Sequence, residues 1–133
     1  MSRNNLTFSI IIPVLNSKKK LIKTIKSIKK QDYKNYEIIV VDGHSEDGTI
    51  DYIKKEKAIN KKIIEYDKGI YDAINKGILV AKGKYINTIN AGDIYYSKKS
   101  LEIIKNYFEK NSNYSFIFGA VLKNKIFYKY EPK

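Results

Sequence analysis

Apolar residues follow two alternating periods along this chain of 133 residues. Runs that are continuously or nearly continuously apolar are typical of buried strands. They lie at residues 8–14, 36–41, 63–66, 85–89, 114–122 and 126–130. Stretches in which apolar residues recur every three or four positions are typical of amphipathic helices. They lie at residues 21–28, 49–58, 70–81 and 101–108.

The alternation of strands and helices predicts an α/β fold, with a mostly parallel, Rossmann-like sheet flanked by helices. The last two runs are close together and predict a hairpin. Boundary residues agree with the helices, because Ser45 or Asp47 can cap the second and Ser97 the fourth. Gly83 is expected to end the third helix.

Polar segments follow the first four predicted strands, at residues 13–16, 42–45, 67–69 and 90–93. In an open parallel sheet, ligands bind outside the carboxyl ends of the strands. The carboxylates Asp42, Asp67 and Asp93 are therefore expected on one rim of the sheet. Each also has a structural alternative: Asp42 as a turn residue, Asp67 as a helix N-cap and Asp93 as a loop residue.

The composition limits the function classes. The chain has no cysteine and the single histidine His44, so disulfides, thiolate metal sites and histidine clusters are excluded. No apolar run reaches the ~20 residues of a membrane span. The first apolar run ends at Pro13 and Asn16 without a cleavage site, so we interpret it as a strand rather than a signal peptide. One domain in the cytoplasm is expected.

The formal net charge of +12 raises the question of a polyanionic partner. Among 26 basic residues Arg3 is the one arginine, and the lysines are scattered over the polar faces. Proteins that recognise bases, or bind phosphates through paired hydrogen bonds, favour arginine over lysine. A basic nucleic-acid-binding domain is therefore the weakest alternative, and no nucleic acid is expected as a partner. A weak attraction to anionic lipids stays open, with peripheral association at the inner face of the membrane.

Two phosphate-binding motifs are missing from the sequence. There is no GxGxxG after the first strand and no GxxxxGK[ST], which argues against a dinucleotide oxidoreductase and a P-loop NTPase. A nucleotidyltransferase would carry a glycine-rich loop there, and PVLNSKKK has no glycine. The phosphates of a bound nucleotide would need another source of positive charge, such as a divalent cation held by a carboxylate.

Three segments resemble one protein family. They are SIIIPVLN, EIIVVDGHSEDGT and EYDKGIYDAINKGILVAKGKYINTINAGD. Together they resemble the family 2 glycosyltransferases of GT-A fold, in particular bacterial members that build surface polysaccharides. The third segment is the strongest match, since it follows the family pattern almost continuously. The resemblance covers nearly the whole chain and the front part of the family's domain.

The resemblance implies a nucleotide-binding site on the sheet rim. Pro13, Leu15 and Asn16 would border the nucleotide base. Asp42 would accept a hydrogen bond from the uracil or the ribose, which suits a side chain that only accepts. Ser45 would belong to the same nucleotide-binding loop.

The resemblance also implies a phosphate and metal end of that site. Asp67 and Lys68 would lie near the base and the diphosphate. Asn90 would begin the segment that takes the place of the family's D-x-D motif. Asp93 would bind Mn²⁺ or Mg²⁺ bridging the diphosphate of the nucleotide sugar. Gly92 stands where many members carry aspartate, which leaves Asp93 as the one carboxylate of NAGD.

The function implied is transfer of a sugar from a nucleotide diphosphate sugar, a UDP-sugar by resemblance, to a glycan or lipid-linked acceptor in cell-surface polysaccharide synthesis. Residues 1–133 would form the nucleotide-sugar-binding domain without the acceptor part, and the catalytic base is expected beyond residue 133. The alternative is a nucleotide-binding but catalytically incomplete module that needs a second polypeptide. Apolar surface left exposed by an absent part would favour self-association.

Overall fold

Four parallel strands form the central sheet of the computed structural model, which describes residues 5–117, 119–123 and 126–128. They are β1 (Phe8–Val14), β2 (Tyr36–Asp42), β3 (Lys61–Ile64) and β4 (Tyr85–Thr88). Their order across the sheet is β3-β2-β1-β4. Two further strands, β5 (Val121–Lys123) and β6 (Ile126–Tyr128), pair antiparallel with each other. The predicted α/β class with a mostly parallel sheet is confirmed.

Four helices cover the two faces of the sheet. They are α1 (Lys18–Lys29), α2 (Thr49–Lys55), α3 (Ile70–Val80) and α4 (Ser100–Lys110). The buried residues of α1, α2 and α4 join one apolar cluster, and α3 contributes to the cluster on the opposite face. Within the part of the chain that the structure describes, no helix combines the length and apolarity that a membrane crossing needs.

The strand β1 is buried along its whole length, which explains its unbroken apolar sequence. Phe8, Ile10 and Ile12 face the three-helix side, and Ile11 faces α3. Pro13 is tolerated in this central strand because pairing with β4 ends at Ile11, so its missing N–H removes no bond from that ladder. Because β1 is buried up to Val14, the residues that follow it are the first ones that reach the edge of the sheet.

The α3 face has a thinner apolar layer than the three-helix face. Gly77 brings α3 close to the sheet, because a Cβ at this position would lie 2.6 Å from Cγ2 of Ile11. Ala73 is buried there, whereas Ile78 and Leu79 are 42% and 84% exposed. The helical period of residues 70–81 thus predicted the helix correctly but overstated how much of its apolar surface is covered.

Helix α2 and strand β3 have bounds that differ by two or three residues from those predicted from the sequence. Helix α2 ends at Lys55 rather than at residue 58, because Glu56 is extended and its Oε1 accepts a hydrogen bond from the Ala58 N–H at 3.0 Å. Strand β3 occupies residues 61–64 rather than 63–66, because its register is set by pairing with β2, beginning at Ile39 and Lys61.

The predicted caps of the helices also need correction. Helix α3 ends at Val80, so Gly83 is not its cap. Helix α4 begins at Ser100, and the Ser97 Oγ instead accepts a hydrogen bond from the Lys99 N–H at 3.2 Å in the turn before it. At α2 the N-cap residue is Gly48 and no side chain caps the helix, so neither Ser45 nor Asp47 is its cap. The Asp47 Oδ1 accepts a hydrogen bond from the Thr49 N–H at 3.1 Å in the turn that leads into the helix.

The fifth predicted strand is mostly wrong. Residues 114–117, 119 and 120 are not in a strand, and β5 begins at Val121. A strand needs a partner for its ladder, and among the described residues β5 pairs with β6 alone. The hairpin over the second half of the prediction is confirmed at residues 121–123 and 126–128. Residues 118, 129 and 130 of the two runs, and residue 124 of the turn between them, lie outside the described residues.

Candidate functional site

The carboxyl ends of the four strands place the candidate residues in a row. In the order of the sheet, the row runs from Asp67 after β3 to Asp42 at the end of β2, Asn16 after β1 and Asp93 after β4. Three inter-strand spacings of about 4.8 Å separate the outer two strands, so the rim is roughly 14 Å wide. The sequence-based expectation of one shared rim therefore agrees with the topology.

The Asp42 carboxylate is buried and fully engaged by its own loop. Its Oδ1 accepts hydrogen bonds from the N–H groups of His44 and Ser45, at 2.8 and 2.7 Å. Its Oδ2 accepts from the Ser45 hydroxyl at 2.6 Å. Asp42 is 0% exposed, so the geometry favours the turn-residue alternative over direct contact with a ligand.

The loop after β1 is fastened to the loop after β2. The Ser45 Oγ accepts a hydrogen bond from the Asn16 N–H at 2.8 Å, and the Asn16 Oδ1 accepts from the Glu46 N–H at 2.7 Å. Asn16 has a positive φ of 47°, a left-handed conformation that asparagine tolerates better than most residues. Asp42, Ser45 and Asn16 thus form one chain of contacts that shapes the middle of the rim.

Asp67 lies over the β2 loop, although it follows β3. A Cβ on Gly43 would lie 2.8 Å from the Asp67 Oδ2, so the missing side chain leaves room for this carboxylate. The Asp67 Oδ1 accepts a hydrogen bond from the Gly69 N–H at 3.0 Å. Asp67 is therefore a turn residue before α3 rather than its N-cap, and its side chain is only partly buried.

Two aromatic rings stack between the loops after β2 and β3. The His44 and Tyr66 rings are nearly parallel, with centroids 4.4 Å apart and an interplanar angle of 7°. Tyr66 is 76% exposed, and it directly precedes Asp67. His44 holds a positive φ of 77°. The stack joins the loops after β2 and β3 through side chains that sequence reasoning did not connect.

The loop after β4 is positioned by α1. The Thr24 hydroxyl donates to the Asp93 carbonyl oxygen at 2.7 Å and accepts from the Gly92 N–H at 2.8 Å. Gly92 has a φ of 105°, and the methylenes of Lys20 lie against it. The Asp93 N–H donates to the Asn90 carbonyl at 3.0 Å, which closes the turn. These bonds leave the Asp93 side chain exposed.

The residues of this loop suit a cation that a ligand helps to hold. Among the described residues, no three acidic or histidine side chains gather into a group that could hold a metal ion. Mg²⁺ is commonly bound through one or two carboxylates together with substrate phosphates and water. An exposed, single Asp93 carboxylate on a fixed backbone fits that kind of shared site and not an all-protein cage.

The remaining predicted residues differ in accessibility. Pro13 is buried within β1, so it supports the rim rather than lining it. Leu15 is 55% exposed at the end of β1. Lys68 is exposed, and its backbone N–H donates to the Asp72 Oδ2 at 3.0 Å. Asn90 is also exposed.

Sequence reasoning missed Thr24 as a residue of the site. Its signal was present, since a lone polar residue stands in the buried stripe of α1 between Leu21, Ile25 and Ile28. A buried hydroxyl on an apolar stripe needs a partner. The partner lies 66 to 69 positions away along the chain, so only the fold identifies it.

The chain matches one family model and several known proteins. The family model described as glycosyl transferase family 2 matches residues 9–133. A glycosyltransferase of Rickettsia conorii is 38% identical over 129 residues, which cover 92% of this chain and 20% of that protein. A PGL/p-HBAD biosynthesis glycosyltransferase of Mycobacterium bovis is 30% identical over 119 residues, which cover 86% of this chain and 46% of that protein. The match spans less than half of either relative.

Solved structures share the fold. S. aureus TarS residues 1–349 in complex with UDP-GlcNAc align with a TM-score of 0.73 and 25% identity, over 80% of this chain and 32% of that one. The mannosyltransferase PcManGT of Pyrobaculum calidifontis in complex with GDP-Man and Mn²⁺ aligns with a TM-score of 0.67 and 22% identity, over 74% of this chain and 31% of that one. At the lower identity the likeness shows the fold alone.

Proposed function

Because this chain belongs to glycosyl transferase family 2, we propose that its sheet rim binds the nucleotide diphosphate sugar from which a sugar is transferred. The observation that carries the proposal is the row of polar residues at the ends of adjacent parallel strands, where open α/β sheets bind ligands. The similarity to the TarS fragment that holds UDP-GlcNAc supports a UDP-sugar as the donor.

The base and ribose are assigned to the end of the rim near β3. Among the described residues, the Asp67 carboxylate accepts one hydrogen bond, from Gly69, so it retains lone pairs for a base N–H or a ribose hydroxyl. Exposed Leu15, which follows β1 and so lies farther along the rim, offers an apolar contact. Asp42 acts indirectly in this proposal, because its loop bonds hold Ser45 and through it Asn16.

The diphosphate is assigned to the end of the rim near β4. Asp93 would hold Mn²⁺ or Mg²⁺ together with oxygens of the diphosphate. When bound, the cation would offset the negative charge that develops on the departing nucleoside diphosphate. Thr24 holds the backbone on which the Asp93 carboxylate is presented, and Lys20 packs against the same loop.

The reaction proposed is a displacement at the anomeric carbon of the sugar. An acceptor hydroxyl oxygen forms a bond to the anomeric carbon. The bond between that carbon and the diphosphate oxygen breaks at the same time, and the nucleoside diphosphate leaves with the electron pair. The hydroxyl proton passes to a base, a role that we assign to none of the described residues. A glycan or lipid-linked acceptor in cell-surface polysaccharide synthesis is proposed from the sequence resemblance.

The test is calorimetric titration of UDP into the chain with Mn²⁺ and with EDTA. We expect saturable binding with Mn²⁺ that EDTA weakens. Asp93→Ala should weaken the Mn²⁺-dependent binding about tenfold or more, because a contact to a charged group is worth about 1.5–3 kcal/mol. Asp51→Ala removes the same charge from an exposed position on α2, and this variant should bind UDP as the parent chain does. Equal loss in both variants would contradict the assignment of the metal.

A second variant separates loop position from carboxylate charge. Thr24→Val keeps the shape of the side chain but removes its three hydrogen bonds to the 90–93 loop. We expect Mn²⁺-dependent affinity for UDP to fall about 10–100-fold, as for other outer-shell partners of metal ligands.

The parent chain also tests which nucleotide the donor carries. If it binds GDP or dTDP and does not bind UDP, the nucleotide that binds is the donor nucleotide instead of UDP.

A further inference from the structure

Helix α1 and the residue after it carry an unusual charge pattern. Residues 18–30 read KKKLIKTIKSIKK and contain no acidic residue. All seven lysines are exposed: Lys18, Lys19, Lys20, Lys23, Lys26, Lys29 and Lys30. Among the described residues, one of the seven has an ion pair, that of Lys29 with Glu56 at 3.7 Å. The fold therefore leaves most of this positive charge without an internal partner.

Four of these lysines form a ridge on the outer side of α1. Lys19, Lys23, Lys26 and Lys30 recur at four-, three- and four-residue spacing. At 3.6 residues per turn, they lie opposite the buried stripe of Leu21, Thr24, Ile25 and Ile28. The eleven residue-to-residue steps from Lys19 to Lys30, at a rise of about 1.5 Å each, give the ridge a length of roughly 16 Å. We call these four residues the lysine ridge.

Apolar side chains flank the lysine ridge on one side. A shallow groove of about 390 Å³ lies between α1 and residues 94–98, and three ridge lysines and Lys98 line it. Ile94 and Tyr96 also line it and are 54% and 76% exposed. The Ser27 Oγ accepts from the Tyr95 N–H at 2.9 Å, and the Gln31 Nε2 donates to the Ser97 carbonyl at 2.6 Å. The apolar side chains are thus held on a fixed backbone beside the cations.

We propose that the lysine ridge, with Ile94 and Tyr96, docks the protein on the anionic surface of a lipid bilayer. Clusters of lysine near a membrane are attracted by anionic headgroups, and their long stems keep the ammonium groups in water. Isoleucine and tyrosine suit the boundary between headgroups and acyl chains. The neighbouring exposed apolar residues and the absence of arginine from the described residues favour a bilayer over a nucleic acid.

The docked orientation follows from the two sides of α1. The outer side carries the lysine ridge, and the inner side holds the 90–93 loop through Thr24. A bilayer bound to the ridge would therefore lie beside the β4 end of the rim. The docking itself goes beyond the proposed function, since it requires neither nucleotide nor metal.

The test is co-sedimentation of the full chain with phosphatidylcholine vesicles, with and without phosphatidylglycerol. We expect binding to the anionic vesicles only, and loss of binding at high salt. The quadruple variant Lys19→Gln, Lys23→Gln, Lys26→Gln, Lys30→Gln should lose about fivefold for each lysine removed, on the order of a hundredfold or more in total.

A matched control removes the same charge elsewhere. The variant Lys54→Gln, Lys57→Gln, Lys82→Gln, Lys110→Gln changes four exposed lysines outside the ridge and should keep most of the vesicle binding. Ile94→Ser with Tyr96→Ser should weaken binding without changing the charge. Circular dichroism and UDP titration without lipid show whether each variant is folded and keeps its nucleotide site.

Several results would overturn the docking proposal. Equal losses in the two quadruple variants would reduce it to an effect of net charge. If phosphatidylglycerol does not increase the vesicle binding of the parent chain, the proposal is refuted directly. Ridge-dependent binding to RNA that exceeds binding to vesicles would assign the surface to nucleic acid instead. None of these results depends on whether the chain binds UDP, so the two proposals fail separately.

Discussion

At the scale of single residues, carboxylates that look equivalent in the sequence have different roles in the fold. Asp42 and Asp67 both follow a strand, and both were predicted on one rim. The Asp42 oxygens are engaged by His44 and Ser45, whereas the Asp67 carboxylate stands over Gly43. The sequence predicts their shared edge because strand ends are local features. It does not predict which one stays available, because that depends on contacts between separate loops.

The contact between Gly43 and Asp67 gives a prediction about affinity without loss of stability. In Gly43→Ala the new Cβ would lie 2.8 Å from the Asp67 Oδ2, so the carboxylate must move. We expect UDP affinity to fall about tenfold, as for a lost hydrogen bond to a charged group. The free energy of unfolding should change by less than about 1 kcal/mol, because the end of a partly exposed side chain can rotate.

Titration calorimetry and urea unfolding measure the two effects, and two variants serve as references. Gly119→Ala places a Cβ where no atom lies within 4 Å and should change neither quantity. Asp67→Asn should reproduce the affinity loss of Gly43→Ala. If Gly43→Ala bound UDP as the parent does while Asp67→Asn did not, the carboxylate would act from a different position.

At the scale of elements, the covered centre of the sheet was predictable and its borders were not. The bounds of β1 follow from an unbroken apolar run that is buried on both faces. Strand β3 is shifted because its ladder with β2 starts at Lys61, which apolarity alone does not reveal. Gly83 was assigned to the end of α3 from its residue type, but its role is a close approach to β1. Contacts between distant segments decide all of these details.

Gly83 predicts a large cost for one added methyl group. A Cβ at Gly83 would lie 2.5 Å from the Phe8 carbonyl carbon and 2.8 Å from the Ser9 Oγ. The backbone of β1 cannot move away, because β1 pairs with strands on both sides. Gly83→Ala should therefore lower the free energy of unfolding by about 1–3 kcal/mol. Gly77→Ala meets the Ile11 Cγ2 at 2.6 Å but should cost less, because alanine favours a helix interior over glycine by about 1 kcal/mol, which offsets part of the clash. Urea unfolding measures both, and the opposite ranking would contradict the close approach.

At the scale of the whole molecule, the two ends of the sheet carry different polar networks. The carboxyl ends carry the candidate site, and a second network lies at the start of β1 and β2. There the Glu37 Oε1 accepts from the Ser9 hydroxyl at 2.6 Å and from the Lys82 N–H at 2.8 Å. Its Oε2 lies 3.0 Å from the Lys61 Nζ. This network ties three strands and the α3–β4 connection together away from the rim.

The Glu37 network predicts how stability depends on pH. Burial raises the pKa of Glu37, but hydrogen bonds from Ser9, Lys82 and Lys61 and the charge of Lys61 lower it more, so the pKa lies below its ordinary value of 4.5. The folded chain therefore binds fewer protons at this site than the unfolded chain. The stabilisation is complete above pH 4.5 and is lost as the pH falls through the folded value.

Glu37→Gln should therefore destabilise the chain at neutral pH and not in acid. At pH 7 we expect a loss of about 1–3 kcal/mol in the free energy of unfolding, because a buried, charge-assisted hydrogen-bond network is broken. At a pH below the lowered pKa of folded Glu37 the difference from the parent chain should shrink, since Glu37 is then protonated in the parent too. Urea unfolding at both pH values measures the difference. The control is Glu109→Gln, because Glu109 is 56% exposed and its charge is paired only with Lys105 among the described residues. A Glu37→Gln loss that stays the same at both pH values would mean that packing, not charge, is the contribution of this residue.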